Sequence, residues 1–265
     1  MISVSVWLNR WWTLFGREAK IRASYRLTAL TSLVSTIMGI VIYGFLGATA
    51  VASSTSSTYG MSLGAYLVSG VAFASIMGTS FGMFLSYVSP NSIEELLVTR
   101  TGLREYIISA SSFSIMTTLA SALFSFATAT LLFGIQYSYN FPLFTTVIFL
   151  GIVTSVGMGF VGLAFNLVYK QTAVLSWFIY TLTGLVGNML VPVQVLPGAV
   201  QALSLVTPQY YFFTGIRIAL GSQVSPATDI LEVFTVYALV LLGLGILALN
   251  GALRSIRRTG THRWT

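Results

Sequence analysis

The sequence predicts an all-α polytopic membrane protein: a single membrane domain over residues 1–265 with six transmembrane helices. An amphipathic interfacial helix is expected at the N-terminus, and short re-entrant or interfacial helices before the last span. Three observations predict this fold. First, 55% of the 265 residues are hydrophobic and only 7% are charged, against roughly 25% charged in a soluble domain. A soluble fold of this size could not cover its surface with so few charges. Second, six apolar stretches are long enough to cross a bilayer, which takes about 20 helical residues. Third, the basic residues fall on one side of those stretches.

The six stretches are Leu27–Gly47, Met61–Val88, Tyr106–Gln136, Phe141–Tyr169, Thr172–Leu190 and Ile230–Asn250. The second, third and fourth exceed what a core of ~30 Å needs, so they are expected to tilt or to project from the membrane. Glycine is frequent within them, as in lipid-embedded helices that pack closely. Segments of about ten residues with alternating polarity, the mark of an outer-membrane barrel, are not seen.

Orientation follows from lysine and arginine. With the N-terminus inside, the inner segments hold Arg10, Arg17, Lys20, Arg22, Arg26, Arg100, Arg104, Lys170, Arg254, Arg257, Arg258 and Arg263. Those are 12 of the 13 basic residues; only Arg217 lies outside, with Asp229 and Glu232. Both termini are therefore expected in the cytoplasm and the protein in the plasma membrane. The net charge of +7 could suggest nucleic acid, but the charges lie beside apolar runs, so lipid is the expected partner. Small residues at Ala48–Ala52 resemble a signal-peptidase site. The apolar run before them has about 21 residues, against 7–15 for a signal sequence, so no cleavage is expected.

Residues 4–17 form an amphipathic wheel. Val4, Trp7, Leu8, Trp11, Leu14 and Phe15 share one face and Asn9, Arg10, Thr13, Gly16 and Arg17 the other. Aromatics opposite arginines suit a helix in the headgroup layer. Such a helix could be a passive anchor, or a gate beside a substrate entrance through Trp7, Trp11 and Phe15. The cytoplasmic loop 89–105 contains a second short helix. Ser92 and Glu95 form a capping box, Glu94 and Glu95 complement the dipole, and Ile93, Leu96 and Leu97 give an apolar face. That face could pack on the protein's own spans or dock on a partner.

Ile93-Glu94-Glu95-Leu96-Leu97-Val98-Thr99, followed by Glu105-Tyr106-Ile107, resembles the cytoplasmic loop of type-2 ABC exporter permeases. In that family the loop carries a coupling helix that contacts the ATPase. Arg100 stands where proline is common, and Ser109-Ala110 where Gly-Lys is common. A second resemblance covers Leu196-Pro197, Leu203-Ser204, Thr207-Pro208, Arg217 and Gly221, with Thr207 in place of the usual asparagine. The resemblance implies an ATPase partner contacting Ile93, Glu94, Glu95, Leu96, Leu97 and Thr99, and a second permease copy, identical or paralogous. ATP and Mg would be bound by that partner and no cofactor by this chain.

Residues 191–227 are too apolar for an exposed loop, yet are broken by Pro192, Pro197, Pro208 and Pro226. Irregular backbone at membrane depth must be shielded by protein or line a cavity. Pro197, Pro208 and Arg217 are candidate outer-gate residues. Arg217 could instead snorkel or cap a helix end, or guide an anionic headgroup.

Other chemistries fit poorly. Neither Lys20 nor Lys170 sits in a P-loop frame, so the chain supplies no ATP site and is not itself an enzyme. Gly78-Thr79-Ser80-Phe81-Gly82 matches G-x-S-x-G without the strand–turn–helix elbow, and the only histidine is His262. Cysteine is absent, excluding thiolate metal sites and cysteine nucleophiles. An ion-coupled secondary transporter, or a channel subunit of another translocation machine, is the alternative. Ion coupling usually needs ionisable groups in mid-membrane, and none of the six acids lies centrally in a span. Pathways rich in Ser, Thr, Tyr and Phe suit amphiphiles: lipids, hydrophobic drugs or lipid-linked glycans.

Overall fold

The computed structural model describes residues 4–49, 60–78, 103–169, 181, 184–222 and 227–259. Among these, the regular structure is entirely helical. Helix α1 spans Val4–Ser24, α2 Arg26–Thr49, α3 Leu63–Gly78, α4 Leu103–Phe133 and α5 Phe141–Tyr169. A 3-10 turn at Val193–Val195 leads to the short α6 (Gly198–Leu205) and α7 (Pro208–Ala219), and α8 covers Ala227–Thr259. Four stretches are long and apolar enough to cross a membrane: Leu30–Thr49, Glu105–Phe133, Phe141–Tyr169 and Ala227–Ser255. Leu63–Met77 is a shorter apolar helix. The expected continuation of that span to Val88, and residues 172–180 of the expected fifth span, lie outside the described residues.

The boundaries have local causes. Helix α1 runs past the wheel of residues 4–17 to Ser24, inside the segment 1–26 expected as a cytoplasmic amphipathic helix. There the Ser24 hydroxyl donates to the Ile21 carbonyl (2.6 Å) and Tyr25 interrupts the helix for one residue before α2. Helix α4 stops at Phe133 rather than at Gln136, because Gly134 turns the chain with φ of 59°. Asn140 caps α5, its Oδ1 accepting from the Leu143 amide at 3.2 Å. The prolines start the short helices: Pro197 precedes α6, and Pro208 opens α7 at a position that needs no amide donor. The last helix continues past Asn250, because Arg254, Arg257 and Arg258 end the apolar run without ending the helical preference.

Helices α5 and α8 cross at backbone contact. A Cβ at Gly157 would lie 2.5 Å from the Leu241 carbonyl carbon and 2.6 Å from the Leu242 amide nitrogen. A Cβ at Gly245 would lie 2.5 Å from the Gly157 carbonyl oxygen. Backbone meets backbone here, so only glycine lets the axes approach so closely. Around this pair Phe73, Phe126, Val147, Phe212, Phe213, Ile216 and Phe234 build one buried cluster joining α3, α4, α5, α7 and α8.

Two poles result. At one, Leu14 of α1 packs with Tyr106 and Ile107 at the start of α4, Phe160, Leu163 and Leu167 near the end of α5, and Leu249 of α8. At the other, the 135–140 connection is pinned to the end of α7. The Ser138 amide donates to the Leu220 carbonyl (3.2 Å) and the Asn140 amide to that of Ala219 (2.8 Å). Helices α4 and α5 run antiparallel, and α5 and α8 run parallel, Val147 meeting Phe234 at one end and Leu163 lying with Leu249 at the other.

The α5–α8 crossing gives a direct prediction. Gly157→Val forces a branched side chain against fixed backbone and should cost about 1–3 kcal/mol, read as a lower thermal midpoint of the purified protein. Gly243→Ala, which meets nothing within 4 Å, should leave the midpoint unchanged.

Candidate functional site

The pole at the end of α7 is organised by a polar knot. Asn188 holds a left-handed conformation, φ 60°, which asparagine tolerates better than most residues. Its carbonyl, and that of Met189, leave helical pairing and turn toward α7. Arg217, in the last turn of α7, is only 3% exposed. Its Nη1 donates to the Asn188 carbonyl, and its Nη2 to the carbonyls of Met189 (2.6 Å) and Tyr66 (3.3 Å). The guanidinium carbon stands 3.4 Å from the centroid of the Tyr66 ring, a cation–π contact strengthened by desolvation. The Tyr66 hydroxyl donates to Asn188 Oδ1 (2.7 Å), and Asn188 Nδ2 donates to Thr214 Oγ1 (2.9 Å). Gly70 makes room for the knot, since a Cβ there would strike the Met189 carbonyl oxygen and approach Arg217 Nη2 to 3.1 Å. Arg217 therefore points inward. It neither snorkels nor caps its own helix; it ties α3, the 188–189 backbone and α7 together.

Beside the knot lies a cavity of about 670 Å³ between α2, α3, α4 and residues 181–191. Hydroxyls line it from Thr36, Tyr43, Ser121, Ser125 and Thr181, among apolar walls that include Met189. The described lining residues carry no charge. The volume is within the range of sites that enclose a small molecule.

At the opposite pole α1 docks on the start of α4. The Ser109 hydroxyl donates to the Trp11 carbonyl (3.2 Å), and Trp11 Nε1 donates to Ser112 Oγ (3.3 Å). Arg10 lies 3.6 Å from Glu105, and the Tyr106 hydroxyl reaches Oε1 of buried Glu18 at 3.5 Å. Phe15 meets Phe113 edge to face, ring centroids 5.1 Å apart. The aromatic face expected to lie in the headgroup layer is thus split. Trp11, Leu14 and Phe15 are covered by protein, while Leu8 and Trp12 remain exposed. Trp7 lies in the first turn of α1, and its side chain is outside the described residues.

Of the other expected site residues, Ile93, Glu94, Glu95, Leu96, Leu97 and Thr99 lie outside the described residues. Pro197 and Pro208 begin α6 and α7 at the pole of the knot, with Arg217 in the last turn of α7. Tyr66, Asn188 and Thr214, which complete the knot, were not singled out by the sequence, nor were Glu18, Ser109 and Ser112. The available signal was chemical: Asn188 is an amide within an apolar run, and buried amides require partners.

Charge-assisted hydrogen bonds contribute about 1.5–3 kcal/mol each, and a lysine cannot reproduce the planar fork of arginine. Thermal stability in detergent should therefore fall in the order wild type, Arg217→Lys, Arg217→Met, the last losing at least about 3 kcal/mol. An Arg217→Met protein with the wild-type midpoint would show that the guanidinium does not hold the knot.

Comparison with known families agrees with this architecture. A family model described as ABC-2 type transporter matches residues 9–220, from α1 through the end of α7 and including every member of the knot. No curated protein matches the chain. The match covers most of the sequence, and the chain belongs to the ABC-2 type transporter family, as a multi-pass membrane permease component of an ABC transporter.

Proposed function

We propose that this chain is the permease subunit of an ATP-driven exporter for an amphiphilic substrate: a lipid, a hydrophobic drug or a lipid-linked glycan. The observation that carries the substrate class is the hydroxyl-lined cavity between α2, α3, α4 and residues 181–191, whose described walls bear no charge. Hydroxyls can satisfy the polar groups of an amphiphile while the apolar walls receive its chain, and no ion need be desolvated. Arg217 and its partners, with the helices begun by Pro197 and Pro208, would close the cavity's outer side. Helix α1, through Trp7, Trp11 and Phe15, would control the inner entrance.

In this reading the chain has six spans with both termini in the cytoplasm of a plasma-membrane protein. The excess of basic residues on that side favours this orientation. The sequence holds no P-loop lysine frame, so ATP and Mg would bind a separate ATPase subunit docked on loop 89–105 near Ser92–Thr99. A second permease copy, identical or paralogous, would complete the pathway.

Two experiments test this proposal. Replacing Leu96 and Leu97 with Asp should abolish co-purification of the ATPase subunit while the permease still inserts. Unchanged association would exclude the loop as the docking site. Ser121→Phe with Ser125→Phe fills the cavity and should lower export on the order of tenfold or more, because the rings occupy the space a substrate would need, with ATPase association intact. Undiminished export would move the pathway elsewhere.

A further inference from the structure

We propose that Ser121 and Ser125 of α4 select the headgroup taken into the cavity beside the knot, and that this head is neutral and carries hydroxyls of its own, as a glycosyl or glycerol group does. This deepens the proposed export of an amphiphile and rests on that reading of the cavity.

The two serines stand one turn apart on a single face of α4, and both line the cavity. Serine and threonine inside a helix commonly donate back to the carbonyl one turn earlier. Ser111, Ser112, Thr117 and Thr130 of α4 do so, to the carbonyls of Ile107, Ile108, Phe113 and Phe126. Ser121 and Ser125 make no hydrogen bond among the described residues, although Ser125 is only 5% exposed. A buried hydroxyl without a partner is uncommon, and this one borders an open volume of about 670 Å³.

The chemistry of the occupant follows from the surrounding walls. On the α2 side Ser35, Thr36 and Tyr43 add hydroxyls, while Val71, Leu185 and Met189 add apolar surface from α3 and residues 184–191. A hydroxyl both donates and accepts, so a head that does the same matches these groups in either direction. A phosphate or carboxylate offers acceptors alone, with a charge that must be desolvated. Arg217 stands beside the cavity but is not among its lining residues, and its Nη1 and Nη2 are held by backbone carbonyls. An anionic head therefore gains no counter-charge from the described walls.

The chain has no cysteine. Gly184 lines the cavity, and a Cβ there would meet nothing within 4 Å, so Gly184→Cys places a single thiol at the site. The rate at which a small maleimide labels this thiol would be measured on the full chain in nanodiscs. Three probes of the same chain length would be added in turn: dodecyl maltoside, the glycerol monoester of lauric acid, and dodecyl phosphate. One or both hydroxylated probes should slow labelling several-fold, and dodecyl phosphate should leave it unchanged. The hydroxylated probe that acts at the lower concentration separates a glycosyl from a glycerol head. Ser121→Ala with Ser125→Ala should remove the protection without changing the rate measured with no probe. The thermal midpoint of the wild-type protein should rise with the same probes, since a ligand of the folded state stabilises it. Equal protection by dodecyl phosphate, protection that survives the double alanine variant, or no effect of any probe on labelling and midpoint overturns the proposal. Failure of the export reading is separate: it appears as protection by the hydroxylated probes in a permease whose export is undiminished by Ser121→Phe with Ser125→Phe.

Discussion

Backbone that leaves a helix inside a membrane protein must find new hydrogen-bond partners within the protein, because lipid offers none. Here the carbonyls of Asn188 and Met189 face that constraint, and the guanidinium of Arg217 meets it. A buried charge is itself costly to desolvate. Three carbonyls and the face of Tyr66 offset that cost. Carbonyl oxygens and a π-face carry only partial negative charge, so several of them are gathered around one cation. The gathering fixes where α7 sits, and through the 135–140 connection it fixes the outer ends of α4 and α5.

Glycine at backbone contact recurs as the way these helices meet. It sets the α5–α8 crossing at Gly157 and Gly245, and the meeting of α2 with α3 at Gly47 and Gly64. The phenylalanine cluster binds α3, α4 and α7 to α5 and α8. Both α2 and α8 leave large apolar side chains uncovered, among them Leu30, Met38 and Phe45 on α2 and Leu239, Leu244 and Leu247 on α8, as suits helices that face lipid. The cavity opens between α2 and the helices it meets.

Much of this was legible in the sequence because helix formation and burial in lipid are local properties. Phe141–Tyr169 is bounded in the structure as its apolar run is bounded in the sequence. The prolines of residues 191–227 announced the short helices they begin. The N-terminal wheel described an aromatic face but not what meets it, because a wheel describes one helix and Phe113 lies on another. The knot was less accessible still. Tyr66 and Arg217 are 151 residues apart, and no periodicity connects them. What the sequence did show was a lone outer arginine, a residue whose burial would demand several acceptors.

That separation has a consequence for how the protein is made. During synthesis α3 reaches the membrane long before Arg217 is translated, so the outer pole cannot close as the early spans insert. Until α7 arrives, Asn188 and Met189 have no guanidinium to receive them. The earlier helices can already pack on one another, since Ile40, Val68 and Ala129 join α2, α3 and α4. The knot can form only once most of the chain has been made, so a chain stalled before Arg217 would leave these carbonyls without the cation they meet in the finished fold.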